Sequence, residues 1–377
     1  MRPKAALIAL LLLLQVGAGS AASGELLTYL ADATGWNNAQ KIVVSADGTI
    51  HIVYQQRLGS GTEQDLFAYA RSRDGQNWEI ASCKGRWPAI ALELASDEIY
   101  IAFVRRLAER DELRLRRMAQ DGGTELLLTS SAPGSLLFPA VAVAAGRVHL
   151  AWEAHLGGRS SIAHAELELA SQQLMIETVA EGDRGLYFPS LAVGPDGVHL
   201  VWEEEVDGLR HRIVHAWRES SRWQVDAIPE EGELLNAHYP ALDYHPDLRV
   251  YELVFARYDA AGNAIYYRAL GARGWSEPEC LSCWLESGYW SFPTVEDGNV
   301  VWGRQVAAGC PEGPLFYSHL SGRSWSEPQA LEGDFAAFPH LFRLGDKLYL
   351  VWTDRDVQSP ILRLVRYRQL QISQGSP

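Results

Sequence analysis

The stretch "GWSEPE" at 274–279 returns as "SWSEPQ" at 324–329, with Trp275 and Trp325 50 residues apart. Near-copies at such a distance mark a repeat architecture, in which each unit buries its apolar face only by stacking on its neighbours. Working outward, an aromatic closes a β-patterned run at Tyr54, Phe103, Trp152, Trp202, Phe255, Trp302 and Trp352. The intervals are 49, 49, 50, 53, 47 and 50 residues. The runs read "TIHIVY", "EIYIAF", "RVHLAW", "GVHLVW", "YELVF", "NVVW" and "KLYLVW". They are rich in β-branched and aromatic residues and tend to alternate, as packed strands do.

A second marker precedes six of these runs: "WPAIAL", "FPAVAV", "FPSLAV", "YPALDY", "SFPTV" and "FPHLF". "NAQKIVV" at 38 opens the first unit without its Pro. "ADG", "PDG" and "EDG" sit between the two markers in three units, and Asp-Gly favours a tight hairpin because Gly accepts positive φ. Each unit then offers a third run, such as "SIAHAEL" or "RIVHAW", and a fourth that often starts at Trp: Trp78, Trp223, Trp275 and Trp325. The repeated hexapeptide is the corner into this fourth strand.

Seven units of four strands predict an all-β chain folded as a single seven-bladed β-propeller. The last unit has no clear fourth strand, whereas "ELLTYLADATGWN" at 25–37 resembles one. The N-terminal strand is therefore expected to close the ring, pairing residues near 25–31 with residues near 361–369, which removes exposed sheet edges. Residues 23–370 form the propeller, and 371–377 are expected to be a disordered tail.

Arg2 and Lys4 precede "AALIALLLLLQV", and small residues follow. A basic start, a short apolar core and a small-residue cleavage site read as a signal peptide over 1–22. No later run is long enough to span a bilayer. The expected protein is secreted or periplasmic, monomeric and not inserted in a membrane. The 377-residue chain has a net charge of −14, which excludes nucleic acid as a partner, because phosphate backbones demand clustered Lys and Arg. An oxidising compartment permits disulfides among Cys83, Cys280, Cys283 and Cys310. Cys283 and Cys310 sit in loops on one face of the sixth blade and are expected to pair, leaving Cys83 free.

The corner "SRDGQNW" (Ser72, Asp74, Gly75, Trp78) is similar to the Asp-box of sialidase-type (BNR-repeat) propellers, shortened by one residue. Kelch and WD40 signatures are absent. Members of the resembled superfamily that are enzymes hold a sugar carboxylate with three Arg. They use an Asp acid and a Glu-activated Tyr nucleophile. The resemblance implies Arg86 of "GRWP" as the first Arg, Asp111 as the acid, and Arg257 and Arg304 as the other two Arg. "AFVRRL" departs from the family pattern, with Arg105 at the acidic position, and no segment supplies the Tyr–Glu pair. That pair separates a diverged exo-sialidase-like hydrolase from a non-catalytic propeller.

A site is expected on the face where long linkers enter each blade. Those linkers carry Trp87, Tyr187, His238, Tyr239, Tyr289, Trp290 and Phe335, and the strand-two ends add Arg105, Glu153, Glu203, Arg257 and Arg304. Flat aromatics with planar charged groups suit sugars and carboxylates. The expected ligand site comprises Arg86, Trp87, Arg105, Glu153, Glu203, Tyr239, Arg257, Trp290 and Arg304, with the arginines aimed toward a common region near the axis. No cofactor and no metal site are expected, because the eleven His show no ligand spacing; His51, His149 and His199 share one strand position. The expected function is a non-catalytic exported propeller binding glycan or extracellular protein. A diverged hydrolase and a structural module without small ligand are the alternatives.

Overall fold

A computed structural model describes residues 22–23, 26–28, 30, 33–35, 39–59, 64–118, 123–131, 134–208, 210–219, 222–228, 236–259, 262–286, 288–307, 310–311, 313–331, 336–355 and 363–371. Most of the expected signal peptide and all but Gln371 of the expected tail lie outside them. The described residues contain strands and turns but no helix, so none of them forms a helix able to cross a membrane.

Seven antiparallel sheets form a ring of seven four-stranded blades. Blade three is the most regular: Gly134–Ala144, Arg147–Leu156, Arg159–Glu168 and Leu174–Gly182 pair in that order. In blade five the fourth strand is split into Gly274–Trp275 and Glu279–Cys280. The repeated hexapeptide explains the split. Ser276 N–H donates to the Ala269 carbonyl at 2.8 Å, and Ser326 N–H donates to His319 at 2.9 Å in the next blade. The Ser276 and Ser326 hydroxyls also accept from the N–H groups of Ala269 and His319. Each serine thus fills the ladder just before Pro278 and Pro328, which lack an N–H and fit only an outer strand.

The ring closes as expected. Leu27 pairs with Leu364 and Thr28 with Arg363, so the N-terminal strand completes blade seven. Ala22–Ser23 adds a fifth strand to the outer edge of blade one, opposite Glu79 and Ile80.

The periodic aromatic is the joint between blades. Trp152 packs with Ala102, Leu113 and Leu128 of blade two, and Trp202 with Ala151, Ile162 and Val179 of blade three. Phe255 packs likewise with Ala192 and Ile213 of blade four, and Trp352 with Val301 and Leu315 of blade six. Alternation along a strand turns the next residue to the opposite side, toward the following blade.

The residue before each marker Pro takes a left-handed backbone: Trp87, Phe138, Phe188, Tyr239, Phe292 and Phe338 have φ between 48° and 57°. Aromatic residues rarely adopt such angles, and each coincides with a shift in register of its first strand. The twist swings the six rings inward as a chain around the axis, with successive centroids 4.7, 5.1, 6.4, 4.3 and 4.2 Å apart. Gly35, in the segment leading into blade one, lies against the last ring of the chain. A Cβ there would lie 2.7 Å from the Phe338 ring, so only glycine fits. Below this aromatic hub the first strands line an axial cavity of about 300 Å³.

The structure corrects the cysteine pairing. The disulfide joins Cys280 to Cys283, with Cα atoms 5.7 Å apart, and not Cys283 to Cys310. The chain turns sharply after the fourth strand of blade five, where Leu285 N–H donates to the Ser282 carbonyl, and this returns Cys283 to Cys280 before the chain reaches blade six. The Cys310 side chain lies outside the described residues. Cys83 carries a free thiol.

Candidate functional site

The expected arginine cluster does not assemble at the axis. Arg105, Arg257 and Arg304 stand two residues after the periodic aromatic and share its side of the strand. They therefore lie on the side of the preceding blade, whereas among the described residues the axial cavity is lined by first strands. The Arg257 guanidinium lies 5.7 Å from the Tyr266 ring of its own blade, and Arg304 lies 5.8 Å from Trp290. Trp290 is 4 % exposed and packs in the joint between blades five and six, so it offers no free face for stacking. Arg86 is paired in-house: its Nε lies 3.0 Å from Asp65 Oδ2, with the two side chains 9 % and 4 % exposed. Asp111, the expected acid, is buried against Arg106 at 3.1 Å and accepts the Leu136 N–H. Trp87 and Tyr239 belong to the aromatic hub.

Glu153 and Glu203 follow Trp152 and Trp202 and reach the next blade, as the alternation requires. Each holds the backbone N–H of a hub aromatic: Glu153 Oε2 accepts from Phe188 at 3.3 Å, and Glu203 Oε1 accepts from Tyr239. Gln55 does the same for Trp87 at 2.7 Å. These carboxylates therefore brace the hub rather than neutralise the three arginines. Their second oxygens point to histidines. Glu153 binds His155 Nε2. Glu203 Oε2 lies 3.2 Å from His211 Nδ1 and 3.0 Å from His238 Nδ1.

A continuous shelf of rings results on the linker face of blades three to five. Tyr187 lies between His155 and His211, with centroids 6.4 and 5.7 Å away. His211 tilts on His238 at 4.6 Å, and Tyr258 meets His238 edge-on at 5.0 Å. His211, His238, Tyr187 and Tyr258 are half-buried, so each presents an edge to solvent. The Tyr187 hydroxyl lies 3.4 Å from Glu205 Oε2. A Tyr–Glu pair therefore exists, but its electrostatics are not those of an activated nucleophile. Burial, then Glu205 and Glu153, push the Tyr187 phenol above its ordinary value and keep it protonated.

The carboxylates differ. Burial dominates at Glu153 and raises it against the pull of His155, while the same contact raises His155. Burial also pushes on Glu203, but His211, His238 and the Tyr239 N–H outweigh it and hold the group below its usual range. Phenol, imidazole and carboxylate stand side by side, a set able to hydrogen-bond hydroxyls and to move protons. The sequence reading included Tyr187 and His238 among linker residues. It missed His155, His211, Tyr258 and Asn236, which come from separate segments and form a group only after blade stacking.

No family model matches the chain, and no curated protein does so either. Solved structures do. The polysaccharide lyase Uly1 aligns with TM-score 0.56 at 9 % identity, over 89 % of this chain and 90 % of that one. The α-L-arabinofuranosidase Arb93A of Fusarium graminearum aligns with TM-score 0.53 at 10 % identity, over 94 % and 99 %. The fold shared with these structures is that of a β-propeller. The β-propeller domain of the Trilobed protease from Pyrococcus furiosus aligns comparably, with TM-score 0.53 at 9 % identity over 90 % and 97 %. At such identities the likeness speaks for the propeller ring alone, and the site must be argued from its own side chains.

Proposed function

We propose that this chain is an exported propeller that binds a glycan on the tyrosine–histidine shelf of blades three to five. The observation that carries the reading is the row Tyr187, His211, His238 and Tyr258, half-buried and flanked by carboxylates, above a hub that closes the axis. The exposed ring edges offer apolar C–H contact and hydrogen bonds to sugar hydroxyls. Export is supported by the basic start and short apolar run at the N-terminus. Two solved propellers of similar fold are, by name, an arabinofuranosidase and a polysaccharide lyase. A glycan array followed by calorimetric titration of the best hit tests the reading. Tyr187→Ala is expected to weaken binding by about tenfold or more, in line with the 0.5–1.5 kcal/mol attributed to aromatic packing plus a lost hydrogen bond. Absence of any glycan hit leaves the structural-module alternative.

A second reading, an enzyme acting on a polysaccharide, is favoured by the protonated Tyr187 beside Glu205 and by the imidazole–carboxylate pairs. It would act by proton transfer rather than through a tyrosine nucleophile. Incubation with acidic and neutral polysaccharides, read for reducing ends and for unsaturated sugar products, separates it from binding alone.

A further inference from the structure

We propose that Glu203, His211 and His238 form a binding site for a divalent transition metal, zinc fitting best. The inference goes beyond glycan binding and does not need it. It starts from hydrogen-bond bookkeeping. The Asn236 side-chain oxygen faces the backbone N–H of His211 at 3.3 Å and His238 Nε2 at 2.7 Å. The backbone N–H can only donate, so this atom is the amide oxygen, and an amide oxygen only accepts. His238 Nε2 must therefore carry the proton. A neutral imidazole has one N–H, so His238 Nδ1 then turns a lone pair toward Glu203 Oε2, 3.0 Å away.

A lone pair facing a carboxylate oxygen is repulsive unless a cation stands between them. His211 Nδ1 converges on the same oxygen at 3.2 Å. The carboxylate is 1 % exposed, and its other oxygen is fixed by the Tyr239 N–H. All three donor atoms lie within 4.8 Å of one another. Zinc bonds of about 2.0–2.1 Å in tetrahedral array set donor atoms about 3.3 Å apart, close to the spacings seen here. The outer partners are also in place: Asn236 orients one imidazole, and a backbone N–H orients the carboxylate, as metal ligands require. Two histidines and one carboxylate leave a fourth position, which is the arrangement of zinc sites that bind an exchangeable ligand. The half-buried histidine rings place that position on the solvent side of the shelf.

The test uses the untagged full chain, stripped with chelator and titrated with zinc chloride by calorimetry. One zinc per chain with micromolar or tighter affinity is expected. His211→Ala and His238→Ala should each abolish measurable uptake, and Asn236→Ala should weaken it about 10–100-fold. Thermal melts show whether the variants fold. Zinc absorption spectroscopy on the wild type needs no variant: a shell of nitrogen and oxygen with two imidazoles supports the site. No uptake by the wild type means that a proton on the imidazoles serves as the cation, and overturns the proposal. So does a sulfur shell, or uptake unchanged in folded histidine variants. Glycan binding is not read in any arm, so the two proposals fail separately.

Discussion

At the scale of single residues, position along a strand decides what a side chain does. The periodic aromatic faces back to the preceding blade, and its successor faces forward. Glu153 and Glu203 consequently hold hub peptides in the next blade, and their remaining oxygens anchor histidines. Arg86 illustrates how a residue that reads as a ligand becomes structural. Its counter-charge is Asp65, on the third-strand side of blade one. Removing one member of a buried pair strands the other, at a cost of about 3 kcal/mol or more. Asp65→Asn is therefore expected to lower the unfolding free energy by that order in urea titrations, without weakening glycan binding at blades three to five. Unchanged stability would mean that solvent already screens the pair.

Among elements, ring closure is the most consequential. Leu27 and Thr28 complete blade seven, and the Val365 N–H donates to Leu26 at 2.8 Å. The same segment grips blade one, since the Thr28 hydroxyl donates to the Gln55 carbonyl at 2.8 Å. Thr34 continues the seam through its hydroxyl to the Phe338 carbonyl and its N–H to Thr353. Deleting residues 23–34 should uncover the edge of blade seven at Arg363–Gln371, lower the melting temperature and promote aggregation. Light scattering with a thermal melt reads both, and a monomer of unchanged melting temperature would show that closure carries no stability.

Across the whole molecule, the first strands gather groups that are far apart in the chain. Asp243 and Glu296 sit along the axial cavity. Burial first, then neighbouring carboxylates (Glu252 and Asp297 at Asp243; Asp243, Asp297 and Glu252 at Glu296), raise both well above the carboxylate range, and Glu252 is raised alongside. Arg343 and His245 bear on the same group through Asp297. A carboxyl raised in the fold contributes stability below its unfolded pKa, and that contribution is lost as pH rises through the folded value. The buried histidines oppose this. His51, held between Ser45 and Tyr69, and His199, held by His215, are lowered by burial to about 4. They stay neutral in the fold, so their contribution is full above the unfolded value and is lost as pH falls. The raw pH profile thus mixes two signs, and a difference isolates one. Asp243→Asn should gain melting temperature relative to wild type progressively from pH 5 to pH 9. A constant difference across that range would mean that Asp243 does not titrate in the folded protein.

The fold was legible from the sequence because blade stacking imposes a period. Each joint needs one large aromatic at one strand position, each fourth strand needs a corner, and the unmatched N-terminal strand needs the last blade. These are local demands, repeated seven times, and they write themselves into the chain as Tyr54 through Trp352 and as the two "WSEP" corners. The pairing of His51, His149 and His199 inside their own blades follows from the same shared position, with Tyr69, His164 and His215 as partners. The site was not legible, because it obeys no period. Glu203, His211 and His238 come from a second strand, a third strand and the first strand of the next blade, and no spacing rule links them. Direction mattered as well: a strand pattern gives the side to which Arg257 turns, but only the stacked ring shows that this side meets a neighbouring blade and not the axis. Asp65 and Cys280 found their partners for the same reason, through the tertiary path of turns that local propensity does not encode.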